Sequence, residues 1–84
     1  IDFYADWCQP CKKLGPIIDE VSEEYSDIDF YKVDTQNEEV LSQLFGIRSI
    51  PSILFIPTEG QPSMIQGLIS KDVFKEYFKK LFDK

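Results

Sequence analysis

Cys8 and Cys11 are the only cysteines among 84 residues and stand three positions apart in the stretch WCQPC, behind Trp7 and around Pro10. Such a pair can staple the chain, hold part of a metal site, sit buried as small apolar side chains, or exchange electrons as a dithiol. A structural zinc site wants four ligands, and the chain has no histidine and no second cysteine pair to complete the set. A disulfide closing so short a loop removes little entropy from the unfolded chain, so a purely structural bridge contributes almost nothing. Burial as small hydrophobes leaves unexplained why the pair occupies the turn between an apolar run and an amphipathic segment. Redox exchange needs one thiolate that is stabilised and accessible, with a second sulfur close enough to displace it. If a helix starts near Cys8 and Gln9, the first sulfur lies over unpaired backbone N–H groups at the positive helix end, which favours its thiolate. Cys8 is then the attacking sulfur. Pro10 is harmless in the first turn, and Cys11, one turn further in, is shielded and resolves the mixed disulfide.

The flanking sequence supplies elements that would hold this turn. IDFY (1–4) is short and apolar, a buried strand. From Pro10 to Tyr25, Leu14, Ile17, Ile18, Val21 and Tyr25 recur at helical spacing, with Asp19, Glu20, Glu23 and Glu24 on the other side. Pro16 inside that helix removes one backbone donor and is expected to kink it. IDFYKV (28–33) reads as the next strand. Asn37 before Glu38 and Glu39 predicts an N-cap, followed by a short helix with Val40, Leu41, Leu44 and Phe45 inward and Gly46 as its stop. SILFI (52–56) is a strand covered on both faces, the turn PTEG (57–60) follows, and a shorter strand near Met64 to Gln66 completes a hairpin. Ser70 is positioned to cap a last helix. Its inner face carries Val73, Phe74, Tyr77, Phe78, Leu81 and Phe82, and Lys79, Lys80 and Lys84 suit its negative end.

Strand, helix and strand in succession imply a parallel pair with a right-handed crossover, to which the hairpin adds antiparallel strands. The predicted class is α/β, a mixed sheet with helices on both faces. Composition sets the outer bounds. With 43% hydrophobic residues the chain builds one core, a single domain over 1–84. A net charge of −6 without a basic block speaks against nucleic acid and against anionic membrane surfaces. Partners are expected among proteins or small molecules. No apolar run approaches a spanning helix, and two cysteines are few for a secreted disulfide scaffold, which favours a reducing, cytoplasmic compartment.

Taken together, DFYADWCQPCK, FGIRSIPS and QGLISKDVFKEY resemble the strand and active-site motif, the cis-proline segment and the final strand, glycine and helix of the thioredoxin family. The likeness runs the length of the chain with compatible spacing. Relative to the family, the first strand and helix are missing, so the domain is expected to be N-terminally truncated, or to have that edge supplied by a neighbouring segment. The resemblance implies protein-disulfide reduction by dithiol-disulfide exchange, with Cys8 the exposed nucleophile and Cys11 the resolving cysteine. It implies a Cys8 thiol held below the ordinary cysteine range by the helix start. It places Asp2 as the buried carboxylate that takes the proton of Cys11, and Lys32 as its neighbour. By the residues alone, Asp2 reads rather as a solvated residue at a frayed terminus, and Lys32 as a strand lysine reaching water. The resemblance also makes Ile50–Pro51 cis, against the trans preference of most X-Pro bonds. It leaves the Ile50 backbone to pair with an extended substrate, and gathers Trp7, Ile50, Gly67 and Leu68 into a docking patch with Pro51. These four read otherwise as ordinary turn and core residues.

No bound cofactor and no metal are implied. Electrons come, by the same resemblance, from NADPH through a flavin-containing thioredoxin reductase, and the partners are that reductase and disulfide-containing proteins. Gln9 replaces the usual glycine between the cysteines, Gln66 stands where the family's patch is often apolar, and the missing histidine removes the Gly-His dipeptide of protein disulfide isomerase domains, which favours a reductant over an oxidase. Two alternatives stand beside this reading: a non-catalytic binding module of a larger protein using the same patch, and a periplasmic reductase.

Overall fold

A computed structural model describes residues 1–82. The elements follow as β1 (Asp2–Tyr4), α1 (Gln9–Glu24), β2 (Lys32–Asp34), α2 (Glu39–Leu44), β3 (Ser52–Phe55), β4 (Ser63–Gln66) and α3 (Lys71–Phe82). The strands form one mixed sheet in the order β2-β1-β3-β4. β1 and β2 are parallel, with Asp2 opposite Lys32 and Phe3 opposite Val33. β1 and β3 are antiparallel with Asp2 opposite Ile53, and β3 and β4 form the antiparallel hairpin.

Because side chains alternate along a strand, the sheet has two faces of different character. One carries Ile53 and Phe55, which pack with Leu14, Ile18 and Val21 of α1 and Phe74 and Phe78 of α3 in the main core. Aromatic rings dominate there: Phe55 stacks on Tyr77 with centroids 5.3 Å apart, and Phe78 meets Tyr25 edge-on at 4.7 Å. The two helices are also tied at their surfaces, where Lys71 Nζ lies 2.8 Å from Glu20 Oε1 and 2.6 Å from Glu24 Oε2. Ser70 Oγ accepts the N–H of Val73 at 3.2 Å and so caps α3. Lys79 and Lys80 occupy its last turn, and Lys84 lies outside the described residues. The second face carries Phe3, whose ring lies 5.7 Å from that of Phe45 at the end of α2.

Three expectations are corrected. The second strand spans 32–34 instead of 28–33, because its ladder partner β1 offers pairing only from Asp2 to Tyr4; residues before it contribute Ile28 and Phe30 to the core without strand structure. The N-cap of α2 is Glu38 without a side-chain cap, since the Asn37 amide instead donates to Asp34 Oδ2 at 3.1 Å. Val40 and Leu44 point outward, 73% and 77% exposed, and Phe45 is only partly covered. A helix of six residues turns one narrow stripe to the sheet, here Leu41, Ser42 and Phe45, and among the described residues nothing covers its other side. Gly46, at φ 66°, ends α2 with the left-handed geometry that glycine adopts without strain.

Candidate functional site

The site forms where β1 ends and α1 begins. Cys8 is the N-cap of α1, with extended backbone at φ −87° and ψ 107°, and its sulfur accepts the N–H of Cys11 at 3.2 Å. Pro10 lies in the first turn, and the first helical hydrogen bond runs from Lys12 N–H to the Cys8 carbonyl. Cys8 and Cys11 are joined as a disulfide with Cα atoms 5.2 Å apart. The helix start therefore aims the Cys11 N–H at the Cys8 sulfur, a donor that would stabilise its thiolate after reduction.

The expected exposure of Cys8 is not what the disulfide form has. Cys8 is 3% and Cys11 6% exposed, because both pack with Ala5 under Tyr4 and Ile50. Solvent exposure therefore does not separate the two sulfurs; their positions at and inside the helix start do.

Trp7 is 65% and Leu68 47% exposed, while Ile50 is half-buried against the cysteines and Pro51 is buried. The Ile50–Pro51 bond is cis. The Pro51 carbonyl accepts the N–H of Gly67 at 2.8 Å, which brings Gly67 and the adjoining Leu68 to this end of the sheet, with Gly67 at φ 95°. Among the described residues, no hydrogen bond uses the backbone N–H or C=O of Ile50. Beside Ile50 runs a groove of about 390 Å³ lined by Trp7, Thr35, Glu39, Ser42 and Arg48 among others. Thr35, Ser42 and Gln43 of this lining had no signal in the sequence, since α2 and the loop after it reach the site only through folding.

Asp2 is buried, 5% exposed, on the same sheet face as its neighbour Ile53 and hence toward α1. Its Oδ1 has no hydrogen-bond partner. Burial is the main cause that raises its carboxyl to about 6; Lys32 and the amino terminus lower it, and Asp19 raises it further. Lys32 sits opposite Asp2 in the ladder, yet its ammonium pairs with Asp19 Oδ1 on α1 at 3.1 Å. Asp19 reads in sequence only as part of a solvated helix face, and nothing in the spacing marks it. A larger cleft of about 1060 Å³ borders Asp2 but neither cysteine. Among the described residues no cluster of His, Cys, Asp or Glu is arranged for a metal ion, and no helix is long and apolar enough to cross a membrane.

A mixed sheet that presents a CxxC disulfide at the start of a helix, beside an X-Pro turn, defines a thiol-disulfide oxidoreductase. The comparisons agree with that class. Residues 1–80 match the sequence model of the family described as Thioredoxin. A thioredoxin of Borreliella burgdorferi is 48% identical over 83 residues, covering 98% of this chain and 71% of the relative. One from Mycoplasmoides gallisepticum is 42% identical over 79 residues, 94% of this chain and 79% of the relative. Among solved structures, chloroplastic thioredoxin z superposes with a TM-score of 0.89 at 26% identity, over 95% of this chain and 74% of that one. A thioredoxin of Nicotiana alata does so with 0.86 at 33% identity, over 96% and 70%. The chain belongs to the thioredoxin family, whose members reduce protein disulfides and need no bound cofactor.

Proposed function

We propose that the chain reduces disulfides of partner proteins with Cys8 as nucleophile and Cys11 as resolving residue. In the reduced protein the Cys8 thiolate attacks one sulfur of a substrate disulfide; a Cys8–substrate disulfide forms and the other substrate sulfur leaves as a thiolate that takes a proton from water. Cys11 then gives up its proton and attacks Cys8 Sγ, the second substrate sulfur leaves, and the Cys8–Cys11 disulfide forms. Two electrons pass to the substrate, and the product is the oxidised state described above. The observation that carries this reading is the position of Cys8 as the N-cap, with its sulfur held by the Cys11 N–H.

Asp2 is the acceptor for the Cys11 proton. A buried carboxyl raised to about 6 is ionised at pH 7 but close enough to neutrality to take a proton and return it. Lys32 acts on this carboxylate as the nearest cation on the neighbouring strand. Trp7, Ile50, Pro51, Gly67 and Leu68 form the docking patch, in which the unpaired Ile50 backbone receives an extended segment of the substrate as one strand receives another. Oxidised protein is recycled by a flavin-containing thioredoxin reductase drawing on NADPH, and the compartment is the cytoplasm.

Reduction of insulin disulfides by dithiothreitol tests the core of the proposal. The intact protein should shorten the lag before insulin precipitates, and Cys8→Ser should abolish that effect. Equal lags for the two proteins overturn it, and leave a binding module built on the same patch.

A further inference from the structure

We infer that Asp19 is a positioning residue for the site: by holding the Lys32 ammonium at 3.1 Å on the α1 surface, it withholds from the unpaired Asp2 Oδ1 the cationic side chain that stands opposite it in the ladder. The inference rests on the reading of Asp2 as the proton acceptor of Cys11, and it adds a residue that touches neither.

The geometry leaves little choice. Asp2 and Lys32 are direct neighbours across the parallel ladder, so their side chains leave the sheet on the same face. A lysine there can reach a carboxylate opposite it, and a buried Oδ1 without a partner would ordinarily attract it. The ammonium nevertheless lies on Asp19, where the side chains of Lys32 and Asp19 are 46% and 67% exposed. An ion pair so open to water adds little to the stability of a fold. Its consequence is electrostatic: the cation stays near water and acts on the Asp2 carboxylate only from the α1 surface, so burial outweighs it. The charged groups that act on Asp2 are Lys32 on β2, the amino terminus at the head of β1 and Asp19 on α1, while β3 presents the uncharged Ile53. Asp19 thus works twice on the same carboxyl, directly as a like charge and indirectly by detaining Lys32.

The two contributions separate in a double-mutant cycle read on Asp2 itself. The titration midpoint of Asp2 is followed by carboxyl-carbon NMR in the oxidised 84-residue protein, in Asp19→Asn, in Lys32→Met and in the double variant. Both positions are exposed, so the core is untouched. Asp19→Asn should lower the midpoint by about one pH unit as Lys32 closes onto Asp2. In the Lys32→Met background the same substitution should produce less than half that shift. An unchanged midpoint in Asp19→Asn, or equal shifts in both backgrounds, overturns the inference, the latter because repulsion alone would then account for the effect. If the midpoint moves as stated while the pH profile of insulin reduction does not follow it, the positioning by Asp19 stands and the proton-accepting role of Asp2 falls.

Discussion

Replacing Asp2 by asparagine should stabilise the oxidised protein at neutral pH. The carboxyl is buried, one oxygen is unpaired, and burial raises it from 3.8 to about 6. A raised acid holds its proton more tightly in the folded than in the unfolded state, so stability falls as pH rises through the interval from about 4 to about 6, and the full penalty applies above it. A shift of about two pH units at 1.36 kcal/mol each is about 3 kcal/mol, which the open cleft bordering Asp2 screens to about 2 kcal/mol. The asparagine side chain is nearly isosteric with aspartate and carries no charge to desolvate. In urea titrations at pH 7 the Asp2→Asn protein should therefore gain about 2 kcal/mol, equivalent to roughly 10 °C in Tm for a domain of this size. At pH 4 the folded wild type is already protonated at Asp2, and the gain should largely vanish. No gain at pH 7, or the same gain at both pH values, would refute the account of Asp2 as a desolvated carboxylate. The same variant should slow release of substrate from the mixed disulfide, since the acceptor for the Cys11 proton is gone.

Limiting iodoacetamide added to the reduced protein, followed by peptide mapping, should label Cys8 before Cys11; equal labelling would remove the basis for distinguishing nucleophile from resolving residue. Leu68→Asp should raise KM for insulin several-fold while leaving reduction of a small aromatic disulfide unchanged, and equal losses on both substrates would place Leu68 outside the docking patch. Phe78→Ala should cost about 4 kcal/mol in urea unfolding, because Phe78 is almost fully buried and its ring meets Tyr25, Phe30, Phe55, Phe74 and Phe82. A loss under about 1 kcal/mol would mean that the core collapses around the vacancy.

Local chemistry made much of this protein legible before folding. The spacing of Leu14, Ile18 and Val21, the cap at Ser70, the stop at Gly46 and the CxxC pair at a helix start depend on residues within one or two turns of each other, and each is found where the pattern places it. The order of elements, read with the crossover rule, was enough for a mixed α/β sheet. What the pattern could not contain are properties set by residues far apart in the chain. Asp2 becomes a high-pKa acid only because β3 and α1 take it out of water, and its cation is diverted only because α1 returns Asp19 beside β2. The same limit explains the errors: an apolar stripe predicts that Val40 and Leu44 have a surface to cover, and only the assembled layers decide whether one is there. Helical periodicity is a property of the segment, whereas burial, exposure and electrostatic partnership are properties of the neighbours that tertiary structure brings to it.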